Sequence, residues 1–300
     1  MSAPNLVSSR TEQSSSVFIA PRLTRRIQTI LRRVLLLALI ALGAILFLTP
    51  WVWMILTAGK ETTMIWRIPP VWIPPTYRWE NYIEAWERGN FSLFYLNTIF
   101  IALLNVIAVI FSCSLAAYAF GRLRFPGRNI LFTIVLATMM LPMQVTLIPL
   151  FMIFSKLGWV NTFKPLVVPL FFGDAFSIFL LRQFFLTIPR ELDDAALIDG
   201  CSRFGVLFRI LLPLLRAPLT VVAVFQFTYS WNDFFAPLIY LNSPHLFTIT
   251  LGLTRFQGRT TTDIQYLMAM TVVSTLAPIT IFFLTQRTFI QGVVITGIKG

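Results

Sequence analysis

The sequence has few of the residues from which polar active sites are built. Charged residues make up 12% of its 300 residues, whereas a soluble domain has about a quarter, and it contains one histidine and two cysteines. The single histidine, His245, has too few partners for a histidine-built metal site or a Ser-His-Asp triad. Cys113 lies in an apolar segment and Cys201 in a polar loop, and we expect no disulfide between them. We therefore predict no catalytic residue and no metal site in this chain.

Nucleotide-binding motifs are also missing. The sequence contains neither GxxxxGK[ST] nor GxGxxG, the glycine-rich loops that cradle phosphates. Any ATP that drives this protein must then bind to another chain, and we expect no cofactor on this one. The net charge of +12 does not indicate nucleic acid, because the basic residues are spread along the chain and do not cluster in one domain. Membrane topology and contact with anionic membrane lipids explain them better.

Hydrophobic residues dominate instead, at 57% of the chain, and 29 of its residues are Phe. A helix needs about 20 mostly apolar residues to cross a bilayer, and six segments meet or nearly meet this requirement. We therefore predict an all-α membrane protein with six transmembrane helices and both termini on one side. The predicted spans are Val34–Leu56, Leu93–Ala119, Ile130–Phe154, Leu166–Phe185, Leu219–Leu241 and Leu267–Phe283.

The Lys and Arg residues predict the orientation, because these residues are enriched in cytoplasmic loops. With the N-terminus inside, about two thirds of the 24 Lys and Arg residues fall in inner segments, so both termini are predicted to be cytoplasmic. We divide the chain into a basic, partly disordered tail (1–33), a transmembrane domain (34–290) and a C-terminal tail (291–300). The Pro- and Trp-rich loop at 60–90 is predicted to lie outside, with a short amphipathic helix at the membrane interface.

A polar island, residues 189–213, separates the fourth and fifth predicted spans. Three acids in its first turn favour the positive N-terminal end of a helix, and Gly200 is expected to end that helix. An apolar second helix at 204–212 then returns to the membrane. Small residues at helical spacing give the first helix a face that a partner can approach closely, which predicts a cytoplasmic docking hairpin. That face consists of Leu192, Ala195, Ala196 and Asp199.

Polar side chains at membrane depth form a second candidate site. Ionisable residues inside spans cost roughly 2.5 to 3.5 kcal/mol on insertion scales, and they usually face a water-filled path or the bundle interior. Aromatic faces and amide or acid groups commonly hold sugars, but the same groups also join helices by hydrogen bonds, and both interpretations stay open here. Asp174, near the outer end of its span, is interpreted as an acid that meets water. The candidate pathway residues are Gln226, Tyr229, Trp231, Asn232 and Asp233.

The polar hairpin resembles the EAA loop of ABC importer permeases. That pattern is an acid, two alanines, three residues, a glycine, nine residues and then Ile-x-Leu-Pro, and the family usually has Glu as the acid. The matching residues here are Asp194, Ala195, Ala196, Gly200, Ile210, Leu212 and Pro213. AAYAFGRLRFPGR at 116–128, WNDFFAPL at 231–238 and the ending QRTFIQGVVITGIKG extend the resemblance to carbohydrate importers, most closely to the smaller permease of the maltose type.

The resemblance implies the type I importer (MetI-like) fold with cytoplasmic coupling helices, in the cell membrane of a bacterium or archaeon. It implies four partners: a second permease, two ATP-binding subunits that carry ATP and Mg, and an extracytoplasmic sugar-binding protein. Its substrate stays open, because similar permeases carry maltodextrins, disaccharides, sugar alcohols and phosphorylated glycerol. The implied ATPase-coupling residues are Asp194, Ala195, Ala196, Gly200, Ile210 and Pro213, and the implied ATPase-contacting tail includes Gly297, Lys299 and Gly300.

Two other functions are compatible with many apolar helices. A lipid-linked glycosyltransferase would need a polar catalytic loop with paired acids near a metal or diphosphate site, whereas the outer acids here are scattered. An autonomous secondary carrier commonly has internal repeats, and it would leave the hairpin without a partner. We therefore predict a non-catalytic permease subunit of an ATP-driven sugar importer, with ATP hydrolysis on a partner chain.

Overall fold

The computed structural model describes residues 20–258 and 263–297, and within them the chain forms helices and no β-strand. Contacts divide the chain into two units, Met1–Trp53 and Met54–Gly300. The helices of its first half are α1 (Ala20–Ala58), α2 (Thr62–Ile65), α3 (Glu80–Gly89), α4 (Phe91–Arg122), α5 (Arg128–Thr138) and α6 (Met143–Lys156). Those of its second half are α7 (Lys164–Val167), α8 (Ala175–Thr187), α9 (Glu191–Ile198), α10 (Arg203–Gly205), α11 (Leu212–Leu214), α12 (Arg216–Asn232), α13 (Phe235–Tyr240), α14 (Ile249–Leu253) and α15 (Ile264–Gly297).

Long apolar helices confirm the prediction of an all-α membrane protein. Four segments of the described chain are long and apolar enough to cross a bilayer, and two bent helix pairs bring the number to six if each pair is one span. The four segments are Gln28–Ala58, Phe91–Arg122, Lys164–Thr187 and Ile264–Thr288.

The third predicted span is bent, and a second bend lies just before the fifth predicted span; the apolar pattern indicated neither. Helices α5 and α6 meet at 98°, and the break ends at Pro142, which lacks an N–H and disfavours helical backbone in the residue before it. The segment before α12 meets that helix at 81°, where Leu215 leaves the helical region at φ −94° and ψ 22°. Helix α12 also ends at Asn232, nine residues before the predicted end of the span.

The described residues of the first unit, 20–53, belong to the long helix α1, whose apolar side chains are exposed. No part of its apolar window is buried within the chain, and Ile40 and Phe47 are 67% and 83% exposed. Exposure on all sides suits a helix whose surroundings are hydrocarbon. The helix begins at Ala20, so the domain boundary predicted at residue 33 lies inside α1, and the one predicted at residue 290 lies inside α15.

Helix α4 packs closely against α8 because one of its faces carries small residues at every fourth position. Cys113 and Ala117 are fully buried there, and a Cβ added to Gly121 would lie 3.2 Å from Cβ of Phe185 on α8. Small residues at such spacing let two helix backbones approach within a membrane. Leu181 and Phe185 of α8 fill this contact and are themselves fully buried.

Buried polar groups join α4, α12 and α15 on the other side of the bundle. Ser230 of α12 accepts hydrogen bonds from Nδ2 of Asn105 (2.9 Å) and Nε2 of Gln226 (3.0 Å). Nε1 of Trp231 donates to the carbonyl of Ser274 in α15 at 2.9 Å, and Trp231 is 1% exposed. These side chains therefore connect three helices in a medium that offers no competing water.

The Pro- and Trp-rich loop contains the expected short amphipathic helix, α3, which packs against α15. The phenol of Tyr266 on α15 donates to the carboxylate of Glu84 on α3. Nδ2 of Asn81 donates to the carbonyls of Ala58 (2.7 Å) and Lys60 (3.0 Å), which holds the loop to the end of α1. The loop is thus bonded to the spans through buried polar groups.

We expect Phe185→Ala to destabilise the protein, because the substitution opens a cavity at the contact between α4 and α8. Loss of a fully buried Phe side chain lowers the free energy of unfolding by about 3 kcal/mol. The measurement is thermal unfolding of the purified chain in detergent. Phe172→Ala is the matched control, because Phe172 is 87% exposed. Equal melting temperatures for the two variants would contradict the packing described above.

Candidate functional site

The hairpin predicted between the fourth and fifth spans is a helical element that projects from the bundle. Helix α9 has Arg190 as its N-cap residue and Glu191, Asp193 and Asp194 in its first turn. The free N–H groups of this turn carry partial positive charge, so the three acids favour a helix start here. The predicted acidic helix is confirmed.

Gly200 ends α9 as expected, with φ of +82°. The amide of Cys201 donates to the carbonyl of Ala196 at 2.9 Å, and the amide of Gly200 donates to Leu197 at 3.1 Å. This pair of bonds is the Schellman pattern, which needs a left-handed residue after the helix and so favours glycine. The turn is therefore determined by backbone geometry, since a Cβ at Gly200 would meet nothing within 4 Å.

The second half of the hairpin returns to the bundle through a wide helical turn. Oγ of Ser202 accepts from the amide of Gly205 at 3.1 Å and so caps α10. Residues Val206–Leu211 form a π-helix, and Val206, Leu207 and Leu211 are buried in the core cluster shared with α4 and α8. The apolar helix predicted at 204–212 is present, and its π turn is a feature that the sequence pattern did not indicate.

The hairpin presents an apolar surface with an acidic edge. Asp194 and Ala195 are exposed, and so are Ile198 (84%) and Phe204 (68%). Ala196 differs from the predicted contact face: it is 7% exposed and packs in the core cluster, because it lies on the side of α9 that faces the bundle. Its methyl group is therefore covered by the chain itself. Of the other predicted coupling residues, Ile210 is half-buried and Pro213 is exposed.

A buried ion pair ties α9 to the end of α4. Nε of Arg122 lies 3.5 Å from Oδ2 of Asp193, with side chains 3% and 16% exposed, and Nη2 of Arg122 donates to the carbonyl of Ile188 at 2.8 Å. Burial raises the pKa of the Asp193 carboxyl, and the guanidinium of Arg122 opposes this change. The sequence pattern did not indicate this pair. The acids at the start of α9 were the available hint that a cation lies opposite.

A cavity of about 370 Å³ opens beside this pair. The phenol of Tyr118 reaches across it to donate to the carbonyl of Arg203 at 3.2 Å. The cavity thus lies between the end of α4 and the hairpin, and polar side chains of both segments line it. Its charged lining residues are Arg122, Arg124, Arg190, Asp193, Asp194 and Arg203.

The candidate pathway residues divide into two groups. Gln226 and Trp231 are buried. Trp231 donates to Ser274 of α15, and Gln226 donates to Ser230 of its own helix, which also accepts from Asn105 of α4, so both belong to the helix-joining interpretation. Tyr229 (66% exposed), Asn232 and Asp233 instead line a cavity of about 920 Å³ with aromatic side chains around it. The aromatic lining residues are Phe225, Tyr229, Phe234, Phe235, Phe282 and Phe283.

The two acids at membrane depth both accept hydrogen bonds from amides in the first turn of a helix. Oδ1 of Asp233 accepts from the amides of Phe235 (3.1 Å) and Ala236 (3.2 Å) at the start of α13. Oδ2 of Asp174 accepts from the amide of Ser177 at 2.8 Å and caps α8. Asp233 therefore has a structural role and also borders the cavity, whereas Asp174 is explained by its cap.

The predicted ATPase-contacting tail lies at the end of the described chain. Gly297 is the last residue of α15. Lys299 and Gly300 lie outside the described residues.

Comparison with known proteins identifies relatives along most of the chain. The family model described as "Binding-protein-dependent transport system inner membrane component" matches residues 108–295. The chain is 34% identical over 256 residues to the "Probable ABC transporter permease protein YurM" of Bacillus subtilis, with 84% of this chain and 83% of the relative covered. It is 33% identical over 250 residues to the "Arabinooligosaccharides transport system permease protein AraQ" of Halalkalibacterium halodurans, with 82% and 89% covered.

A solved structure has the same fold. Its title is "Crystal structure of a bacterial ABC transporter involved in the import of the acidic polysaccharide alginate". The TM-score is 0.72 at 22% sequence identity, over 91% of this chain and 100% of that one. The likeness supports the bundle of helices described above.

We expect Arg122→Met to destabilise the protein, because it leaves the Asp193 carboxylate buried without its counter-charge. Such a loss costs about 3 kcal/mol, whereas replacement of both partners by apolar residues is close to neutral. Arg122→Met combined with Asp193→Leu should therefore recover most of the loss in thermal unfolding experiments. Arg209→Met, at an exposed arginine of the hairpin, is the control. A double variant as unstable as the single one would contradict the pairing.

Proposed function

The chain belongs to the family of binding-protein-dependent transport system inner membrane components, whose model matches more than half of it, and from this we propose that it is the permease subunit of an ATP-driven sugar importer. The observation that carries the proposal is the projecting hairpin, which combines an acidic first turn with uncovered apolar side chains between two spans. A non-catalytic transport subunit agrees with this family, and ATP and Mg would be bound by partner subunits.

The hairpin is the proposed contact with the ATP-binding subunits on the cytoplasmic side. Leu197, Ile198 and Phe204 are 44%, 84% and 68% exposed, and apolar surface of this kind in water usually marks a protein contact. A short helix laid into a groove would cover it, with Asp194 as the charged contact and Ala195 as the site of close approach. We place Ala196 and Gly200 in a supporting role, because one packs the helix on the bundle and the other ends it.

Coupling requires that movement of the hairpin moves the spans. The Arg122–Asp193 pair attaches α9 to α4, and Val206 and Leu207 of the returning half lie in the same core cluster as α4 and α8. A partner that displaces α9 therefore displaces α4 and α8 with it, since packed elements shift as units. In this proposal ATP-driven closure of the ATPase subunits changes the access of the spans from one side to the other.

The cavity beside α12 is proposed to form this subunit's half of the path that the sugar takes across the membrane. Tyr229 offers an aromatic face for sugar C–H groups, and Asn232 and Asp233 offer groups for hydroxyls. A second permease would complete the wall, and an extracytoplasmic binding protein would deliver the sugar. The transported sugar is proposed to be an oligosaccharide, disaccharide or related polyol, in keeping with the arabino-oligosaccharides in the name of one relative.

The C-terminal residues are proposed to reach the ATP-binding subunits as well. This part rests on the resemblance to the maltose-type permease, in which the tail lies between the ATPases, and it concerns Gly297, Lys299 and Gly300. Family membership favours this permease function over a glycosyltransferase or an autonomous carrier.

We expect Ala195→Arg to abolish uptake, because a long charged side chain on the exposed face of α9 blocks close approach of the ATPase. The measurement is co-purification of the ATP-binding subunits with the tagged chain. We expect the amount of co-purified ATP-binding subunit to fall at least tenfold, together with the loss of uptake. Ala195 is a better test than Ala196, since an arginine at the buried Ala196 would also disturb the chain's own core.

Thr63→Arg is the control for this experiment. Thr63 is exposed in the short helix that follows α1, far along the chain from the hairpin, and the added charge is the same. It should leave co-purification unchanged. If the Ala195→Arg complex assembles normally and its ATP hydrolysis is stimulated by sugar, the proposal that α9 contacts the ATP-binding subunits is wrong.

We expect Tyr229→Ala and Trp231→Phe to have different effects. Tyr229 is 66% exposed and lines the cavity, so its loss should raise the half-saturating sugar concentration of uptake about tenfold, equivalent to about 1.4 kcal/mol, with little change in melting temperature. Trp231→Phe removes the donor to Ser274 and should lower the melting temperature with little change in sugar dependence. Unchanged sugar dependence in Tyr229→Ala would exclude Tyr229 from the path.

A further inference from the structure

A second cavity at the hairpin end of the bundle carries a concentrated positive charge. Its volume is about 540 Å³. No acidic residue lines it, and within the described chain none of its three arginines has a carboxylate oxygen within 4.0 Å. The three positive charges therefore face a concave wall that carries no acid of its own, and such a shape strengthens their field. The lining residues are Arg124, Phe125, Gly127, Arg128, Asn129, Ile130 and Arg190.

The donors in this cavity are partly held in place. Nη1 of Arg128 donates to the carbonyl of Leu123 at 3.1 Å, and its Nε donates to Oδ1 of Asn129 at 3.4 Å. Arg124 and Arg190 are exposed and come from two different segments, one before α5 and one before α9. Guanidinium groups from separate directions suit an oxyanion with several oxygens, and phosphate is such a group.

The backbone adds to the same field. Helix α5 begins at Arg128, and its cap residue Gly127 has no side chain to satisfy the first amides. The N–H groups of residues 128–130 have no partner within the helix, and all three residues line the cavity. Three arginines and a helix start thus converge on one space.

Apolar side chains continue directly from the cavity along α5. Ile130, Leu131 and Ile134 are 69%, 48% and 55% exposed, and α5 forms the first half of a candidate membrane span. The cavity therefore lies where a span begins, at the level of lipid headgroups. A ligand with a phosphate and an acyl chain can use both surfaces, whereas free phosphate can use only the first.

We propose that this cavity binds the phosphate of an anionic phospholipid, with the acyl chains of the lipid along the exposed face of α5. Arg190 is also the N-cap residue of α9, and it borders the cavity beside the Arg122–Asp193 pair. A bound lipid would thereby fix the start of the hairpin relative to the membrane surface. The inference does not depend on which solute the protein carries.

The test is a binding titration of the purified full chain in detergent with fluorescent phosphatidylglycerol, followed by fluorescence anisotropy. The variant is Arg124→Gln with Arg190→Gln, and Arg128 is kept because it bonds to the backbone. Each arginine near an anionic headgroup contributes about a fivefold factor, so we expect binding about 25-fold weaker. The control, Arg209→Gln with Arg216→Gln, removes two exposed arginines of the same region that do not line the cavity, and should bind as the unmodified chain does.

Three results would overturn the proposal. Equal losses in the variant and the control would mean a general attraction to positive charge and no defined site. Binding of zwitterionic phosphatidylcholine as strong as that of phosphatidylglycerol would remove the anionic preference. Inorganic phosphate that binds with the same dependence on Arg124 and Arg190, and displaces the lipid at millimolar concentration, would assign the cavity to free phosphate.

Discussion

Backbone N–H and C=O groups within the hydrocarbon core of a bilayer find hydrogen-bond partners only inside the protein, and this constraint determines the form of the whole fold. It makes the spans helical, and it places each irregular stretch where other groups satisfy the backbone. The break in the third span ends at Pro142, and Asp174 and Asp233 accept hydrogen bonds from first-turn amides of the helices that follow them. Polar side chains at depth obey the same rule, since Asn105, Gln226 and Trp231 are all bonded between or along helices.

Helix α4 connects the Pro- and Trp-rich loop to the hairpin. It begins directly after α3, and it ends at Arg122, whose guanidinium pairs with Asp193 of the hairpin. Between these points its small residues pack on α8 and its polar face joins α12. The ion pair at its end contributes little net stability by itself, because desolvation of both charges offsets their attraction. Its value lies in fixing one position of the hairpin relative to a long, rigid helix.

Much of this architecture follows from the sequence, because length and hydropathy determine spans directly. The acidic helix, its glycine end and the apolar return were predicted because each depends on neighbours in the chain. The 98° bend before α6 was missed, since the apolar pattern continues through Pro142 without interruption. The burial of Arg122 and Ala196 was not predicted for a related reason: the side of a helix that becomes buried depends on distant partners, here α9 against α4. Hydropathy could not show whether Gln226 and Trp231 lie in the bundle interior or line a cavity, because amide and aromatic side chains occur in both places.

The π turn at Val206–Leu211 joins an outward-facing element to a helix of the bundle. A π turn holds one residue more than the α-helical turn it replaces, and its hydrogen bonds span a wider ring. Because of this extra residue, the turn can tighten to α-helical winding while most of its backbone hydrogen bonds persist. Such a change would rotate the hairpin about the axis of this helix. The two halves of the hairpin thus differ: the Arg122–Asp193 pair fixes α9 to α4, whereas the returning half contains a turn whose winding can change.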